Sequence, residues 1–221
     1  MSQTKRQPRS EQTRSHILAA AERRFAEQGY SQARLEDIGH DVGMGRSAVL
    51  YHFADKQTLY RAVLQDLFGG ALDVLRRALA GAGDLPTRIE NGVRAAVAYL
   101  AQRPSAARIA MRETSTPDPA LREEIRRRAA PILDLLALLF EEGQRAGVMR
   151  PQHSDPLRFV SVVAGATLFY VASLPTLVEP LPYAHLDSEP IEALQRDLVD
   201  VTRRLLGLRG PRPLTQPLET S

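Results

Sequence analysis

Five histidines, His16, His40, His52, His153 and His185, stand scattered along the chain, and no two form the helical pair of the HExxH kind that seats a metal. The neighbouring acids Glu123-Glu124 and Glu141-Glu142 read as solvated helix faces rather than as paired proton-transfer groups. Gly43-Met44-Gly45, Gly69-Gly70 and Gly81-Ala82-Gly83 follow no strand and lack the lysine of a phosphate-binding loop. Cysteine is absent, so there is no disulfide framework, thiolate nucleophile or cysteine-ligated metal. These patterns name no catalytic residue, no metal ligand and no cofactor, and they argue against an enzyme. One cluster remains. Arg46, Ser47, Tyr51 and His52 put hydrogen-bonding groups and an aromatic ring on one short segment, chemistry suited to phosphate oxygens and base edges.

The elements around that cluster fit the same chemistry. Leu35, Ile38 and Val42 share one face of a short helix by three- and four-residue spacing. Gly43-Met44-Gly45 then turns the chain. Residues Arg46 to Phe53 form a second helix, with Val49 and Phe53 facing inward and Arg46, Ser47, Tyr51 and His52 outward. Two short helices across a tight turn make a helix-turn-helix, whose second helix lies in the DNA major groove. A third helix starts at Asp55-Lys56. A longer one, Glu11–Gln28, precedes the pair, burying Ile17, Leu18, Ala21 and Phe25, with Gly29-Tyr30 as its exit.

Residues Arg14–Leu64 resemble the DNA-binding domain of the TetR family of bacterial transcriptional regulators. The resemblance is carried by Ile17, Ala20 or Ala21, Phe25, Gly29-Tyr30, Ile38, Gly43, Tyr51-His52-Phe53, Lys56 and Leu59. Its specificity lies in the spacing from Gly29-Tyr30 to His52-Phe53 and on to Lys56 and Leu59. Four positions depart from the family pattern. Arg34 replaces a common threonine at the start of the second helix, and Gly39 replaces the small alanine after the isoleucine. Gly45 replaces the serine that caps the recognition helix, and Leu50 takes the place of a tyrosine that here follows as Tyr51. A side-chain cap is worth about 1 kcal/mol and glycine is only a few tenths poorer than serine, so the turn survives. Arg46, Ser47, Ala48 and Tyr51 are the candidates for reading base edges. Arg34, His52 and Lys56 are expected on phosphates, Lys56 helped by the positive end of its helix.

Composition fits a soluble cytoplasmic protein of 221 residues with 43% hydrophobic content. The net charge is +3 and the pI near 9.5. Residues 1–15 hold Lys5, Arg6, Arg9 and Arg14 against the single acid Glu11. They read as a flexible arm that either lies along DNA or makes no contact. The longest apolar run, Val160–Leu174, contains Ser161, Gly165, Thr167 and Ser173. It falls short of the roughly 20 residues needed to cross a bilayer and reads as a buried helix, so no membrane is expected.

Beyond Leu64 the pattern is helical throughout, and the fold class is all-α. A helix from about Lys56 to Leu79 is interrupted at Gly69-Gly70, read either as a bend or as close packing on a neighbour. Further helices are expected at Thr87–Gln102, Ser105–Glu113, Ala120–Ala146 with a kink at Pro131, Pro156–Leu174 and Pro190–Leu206. Loops are expected at Ser115–Pro119 and Pro175–Asp187. The domain reading is a flexible arm over 1–12, a helix-turn-helix domain over 13–54, a helical domain over 55–208 and a disordered tail over 209–221.

A helix apolar around most of its circumference must be covered on more than one side. Val160–Leu174 is such a stretch, and Ser161, Gly165 and Ala172 give it a face where backbones can approach closely. Together with Pro190–Leu206 it is expected to pair with its symmetry mate, as the resemblance also implies, through Val160, Ala164, Leu168, Leu194, Leu198, Val201 and Leu205. The resemblance further implies an effector cavity in the C-terminal helical domain. Its candidate residues are Tyr99, Arg108, Met111, Arg112, Phe140, Phe169 and Tyr170. Arg108 and Arg112, one turn apart, either receive an anionic group or form a solvated pair. The implied function is a ligand-responsive transcriptional regulator, a repressor that binds a palindromic operator in double-stranded DNA as a homodimer and is released by a small-molecule effector. The alternative, left open by the weakened caps and Leu50, is a helical regulatory partner that keeps the fold without binding DNA specifically.

Overall fold

The computed structural model describes residues 9–115, 121–151, 155–178 and 184–208. The first eight residues of the expected arm lie outside these, as do His153, most of the loop after Ser115 and the tail from 209 onward. Among the described residues every regular element is helical. The chain divides into two compact units that interleave in sequence. One comprises Met1–Gly70, Arg103–Ala129 and Leu168–Pro180, the other Ala71–Gln102, Ala130–Thr167 and Leu181–Ser221. The first unit therefore draws in segments that the sequence alone assigns to the C-terminal domain.

The first unit begins with α1 (Arg9–Gln32), α2 (Leu35–Asp41), α3 (Arg46–His52) and the start of α4 (Lys56–Leu79). Residues 9–12, expected in the flexible arm, are already the first turn of α1. Gly29, at φ 78°, interrupts helical geometry where the sequence puts the exit. Ile17, Phe25, Ile38, Val49, Phe53 and Leu64 are each at most 1% exposed and form one core. Burying one such side chain stabilises by about 1.5–3 kcal/mol. Phe25, Tyr30 and Tyr60 meet within it, the Phe25 and Tyr60 rings edge-on with centroids 4.7 Å apart. On α6 (Pro104–Ser115), which packs on α1, Glu113 accepts from the Tyr60 hydroxyl at 2.5 Å. Arg103, just before α6, bonds to Glu22 and, at 2.7 Å, to Asp66.

The second unit is built from the C-terminal part of α4, α5 (Leu85–Ala101), most of α7 (Arg122–Arg145), α8 (Pro156–Leu168) and α10 (Ser188–Leu206). Asp84 caps α5 by accepting from the Thr87 amide at 3.0 Å, and Pro86 sits in the first turn, where no amide is needed. Packing of α10 on α5 is fixed by Gln195, which donates to the Arg94 carbonyl at 2.9 Å, and by Arg203 against Glu90 at 2.6 Å.

The interruption expected at Gly69-Gly70 does not occur. α4 runs unbroken through Gly69-Gly70, and a Cβ at Gly69 would meet nothing within 4 Å, which removes the close-packing reading for that residue. α7 stays helical through Pro131. The apolar helix is longer than its apolar run. α8 continues through a π-helical turn, Phe169–Ser173, into α9 (Leu174–Leu177). Pro156–Leu177 therefore spans 22 residues, long and apolar enough by composition to cross a membrane, and only 22% of its most apolar stretch is buried within the chain.

Candidate nucleic-acid interface

The turn between α2 and α3 is closed by backbone bonds alone. The Gly39 carbonyl accepts from Val42 at 3.1 Å and from Met44 at 2.8 Å, and Gly43 takes φ 69°, which side chains rarely adopt. A Cβ at Gly39 would lie 2.7 Å from the Met44 carbonyl oxygen and 3.2 Å from Val49 Cγ2. Glycine instead of alanine at 39 therefore sets how closely α3 approaches α2. Arg34 and Gly45 stand at the N-caps of α2 and α3 with no side-chain cap bond, as the departures from the family pattern imply.

Val49 is buried and Leu50 half-buried, which turns the opposite side of α3 outward. Arg46, Ser47 and Tyr51 are exposed there, Tyr51 at 85%, with Ala48 half-buried beside them. Arg46 opens the helix and pairs with Glu36 of α2 at 3.0 Å. Nothing in the sequence marks that pairing, because Glu36 reads as an ordinary first-turn acid. Arg34 is exposed, while His52 is half-buried with its ring edge-on to Tyr51.

Lys56, expected on phosphate, is already engaged within the chain. Its Nζ donates to the Ser31 carbonyl at 3.0 Å and the Ala33 carbonyl at 2.9 Å, and it lies 4.8 Å from the Tyr30 ring centroid. The side chain staples the start of α4 to the end of α1. At the same helix start Asp55 accepts from the Thr58 amide at 2.6 Å. That bond holds the Asp55 carboxyl below its ordinary pKa.

Two further contacts orient the head. Arg14 of α1 donates to the His52 carbonyl at 2.8 Å and lies 4.0 Å from the Phe53 ring centroid. Arg24 of α1 grips both carboxylate oxygens of Asp41 at 2.6 Å, which holds Asp41 below its usual range and raises Arg24. Read from sequence, Arg14 belongs to a basic leader, while its role as a clamp depends on where α3 ends.

In the second unit, a cavity of about 120 Å³ is walled by α4, α5, α7 and α8. None of the seven candidate ligand residues lines it. Phe140 is buried against Phe159, their centroids 6.0 Å apart. Arg112 donates to the carbonyls of Phe25 at 2.7 Å and Ala26 at 3.1 Å, in the turn of α1 that Gly29 interrupts. With Arg108 and Met111 it borders a separate cleft in the first unit. Tyr99 and Tyr170 are half-buried, and Phe169 is exposed. Aromatic and charged residues were the signal used, whereas the cavity is aliphatic.

The candidate dimer residues differ in burial within the single chain. Val160 and Ala164 line the cavity, Leu198 is 4% exposed inside the unit, and Leu168 packs on the core of the first unit. Leu194, Val201 and Leu205 are half-buried. The open side of α8 carries Leu157 and Val162 together with Ser161 and Gly165, two of the small residues expected to allow close approach. An all-round apolar helix has no polar stripe to say which side faces in.

A braced helix-turn-helix on an all-helical chain defines a DNA-binding transcriptional regulator. Comparison with known families agrees: the pattern of bacterial regulatory proteins of the tetR family matches residues 17–63, and that of tetracyclin repressor-like C-terminal domains matches residues 86–206. The chain belongs to the tetR family. It is 26% identical over 192 residues to the HTH-type transcriptional regulator RutR of Escherichia coli K12, covering 85% of this chain and 89% of RutR. A tetR-family regulatory protein from Rhodococcus RHA1 has the same fold, with a TM-score of 0.71 at 22% identity over 90% of this chain and 98% of that one. So does the transcriptional regulator FadR from Bacillus subtilis, solved with stearoyl-CoA, with a TM-score of 0.69 at 16% identity over 88% and 99%.

Proposed function

We propose that the chain is a ligand-responsive repressor that binds a palindromic operator as a homodimer and is released when a small effector enters the second unit. The observation that carries this reading is the outward face of α3, where Arg46, Ser47 and Tyr51 stand in solvent on a helix fixed from behind by Val49, Phe53 and Arg14. Arginine and serine there suit base edges, and a tyrosine 85% exposed has no folding reason to be on that face.

The open side of α8 supports a second copy as its cover. Leu157 is 55% and Val162 38% exposed, and a Cβ at Gly165 would meet nothing within 4 Å, so another backbone can approach closely. A twofold pair presents its recognition helices to half-sites about 34–36 Å apart. The cavity in the second unit supports the effector, and the stearoyl-CoA held by FadR is a precedent for a ligand with an apolar part in this fold. Such a protein acts in the cytoplasm, by binding and without catalysis. To weaken operator binding a hundredfold, the effector must favour the released state by about 3 kcal/mol.

The test is to incubate the purified chain with sheared genomic DNA and sequence what it retains. One enriched palindrome, lost or broadened by Tyr51→Ala with unchanged thermal stability, supports the reading. Retention of DNA without sequence preference, equal in the variant, overturns the assignment of α3 as the reader.

A further inference from the structure

The chemistry of the cavity walls limits what can enter, and this inference rests on the effector reading only for its regulatory consequence. Leu75, Ile89, Val93, Leu136, Leu139 and Phe159 give it an aliphatic surface with one aromatic ring. Thr167 is the one lining residue with a polar side chain, and its hydroxyl donates to the Val163 carbonyl of its own helix at 2.7 Å. Among the described residues, Arg88, Glu113 and Thr202 each hold a buried polar atom without a hydrogen bond, and none of them lines the cavity. A charged or hydrogen-bonding group placed there would lose its water and gain no partner.

The space itself comes from small residues. Gly92 and Ala96 of α5 and Ala164 of α8 face it. A Cβ at Gly92 would make ordinary contact with Leu79 Cδ2 at 3.6 Å, so no tight backbone approach demands glycine at that position. The volume of about 120 Å³ is well below the roughly 300–1,000 Å³ of pockets for drug-sized molecules. It is close to the roughly 150 Å³ of an engineered apolar cavity that stays dry and takes benzene.

We infer that the cavity takes a compact, uncharged hydrocarbon group about the size of benzene or a short branched alkyl chain, and that this group is the part of the effector that becomes buried. Anything polar on the same molecule stays outside the walls.

Methyl NMR of the full chain tests this, with benzene and cyclohexane as neutral probes and benzoate and tetramethylammonium as charged ones. Saturable shifts are expected from the neutral probes at methyls of Ile89, Val93, Leu136 and Val163, and none from the charged ones. Ala164→Leu and Ala96→Leu, made separately, should each weaken the benzene response at least tenfold while the methyls of the first unit keep their shifts. Gly92→Ala, which adds one methyl, serves if both leucine variants unfold. Charged probes binding at those methyls, silence from the neutral ones, or undiminished binding in the variants overturns the assignment. Adding benzene to the chain bound to its retained DNA separates the two ideas. DNA kept with the cavity occupied overturns the effector role and leaves the hydrocarbon site supported. DNA released by other molecules while benzene never shifts the cavity methyls does the reverse.

Discussion

Arg46 and Glu36 form an ion pair at 3.0 Å across the helix-turn-helix, so the first residue of the recognition helix is held by its own head before any DNA arrives. Both side chains are more than half exposed, and such pairs contribute about 0.2–1 kcal/mol. Glu36 also brings negative charge to the face that must meet phosphate. Glu36→Gln should therefore tighten DNA binding about two- to fivefold with little change in stability. Arg46→Ala should weaken it by about 1–3 kcal/mol and relax the preference at the base it reads. Affinities measured across a salt series check both, and weaker binding by Glu36→Gln would mean that the acid positions Arg46 productively.

Lys56 offers a contrast between a structural and a DNA-contacting lysine. Lys56→Met removes the bonds to the Ser31 and Ala33 carbonyls and is expected to cost about 1.5–3 kcal/mol of stability. DNA affinity should fall only as far as the head loosens. Thermal unfolding alongside the salt slope decides the matter. An unchanged melting temperature with a shallower slope would restore the phosphate role.

Lys56 also marks where sequence stops being informative. The glycines and the three- and four-residue spacing of Leu35, Ile38, Val42 and Val49 were enough to place α2, the turn and α3, because those signals are local. The partners of Lys56 are carbonyls of α1, and a carbonyl looks the same in every residue. Arg14 and Arg112 are equally invisible as clamps for that reason. The cavity was missed on other grounds: ligand residues were sought among arginines and aromatics, while the space arises from what Gly92, Ala96 and Ala164 lack. α8 defeated the periodicity argument because apolar residues surround it, so Val160 and Ala164 could not be told from Leu157 and Val162.

Gly39→Ala should be the most damaging small change in the head. The added carbon would stand 2.7 Å from the Met44 carbonyl oxygen, which belongs to backbone and cannot swing aside. Overpacking of this kind costs about 1–3 kcal/mol. Denaturant unfolding should show the loss, with DNA binding falling in parallel. An unchanged midpoint would mean that the turn has slack the distances do not suggest.

Tyr60 donates to Glu113 Oε1 at 2.5 Å inside the first unit, while Glu113 Oε2 has no partner among the described residues. Tyr60→Phe would leave the whole buried carboxylate without its phenol and is expected to cost about 1–3 kcal/mol. Glu113→Gln in the same background should recover part of that loss, because it replaces the acid that the lost phenol leaves unpaired. Calorimetry on the single and double variants tests the order.

Acid should loosen the first unit through Asp41 and Glu124. Arg24 holds Asp41 below its ordinary 3.8 through a double hydrogen bond. Burial pushes Glu124 up, but bonds from Arg128 and Arg127 carry it below its ordinary 4.5. A carboxyl lowered by folding stabilises fully above its unfolded value and loses that contribution as pH falls through the folded one. Melting temperature followed from about pH 6 to about pH 2 should drop below pH ~4, and Asp41→Asn should flatten the drop. An identical profile in the variant would remove Asp41 from the account.

The exposure of Tyr51 has an optical consequence. The chain has six tyrosines and no tryptophan, so its intrinsic ultraviolet emission is tyrosine's own. Among the described tyrosines, Tyr51 is the one standing in solvent; the others are buried or half-buried. A duplex seated on α3 would cover that ring and quench its light while leaving Tyr30 and Tyr60 in their cluster untouched. The unlabelled protein thus carries its own lamp on the recognition helix, dimmed only when the groove is filled.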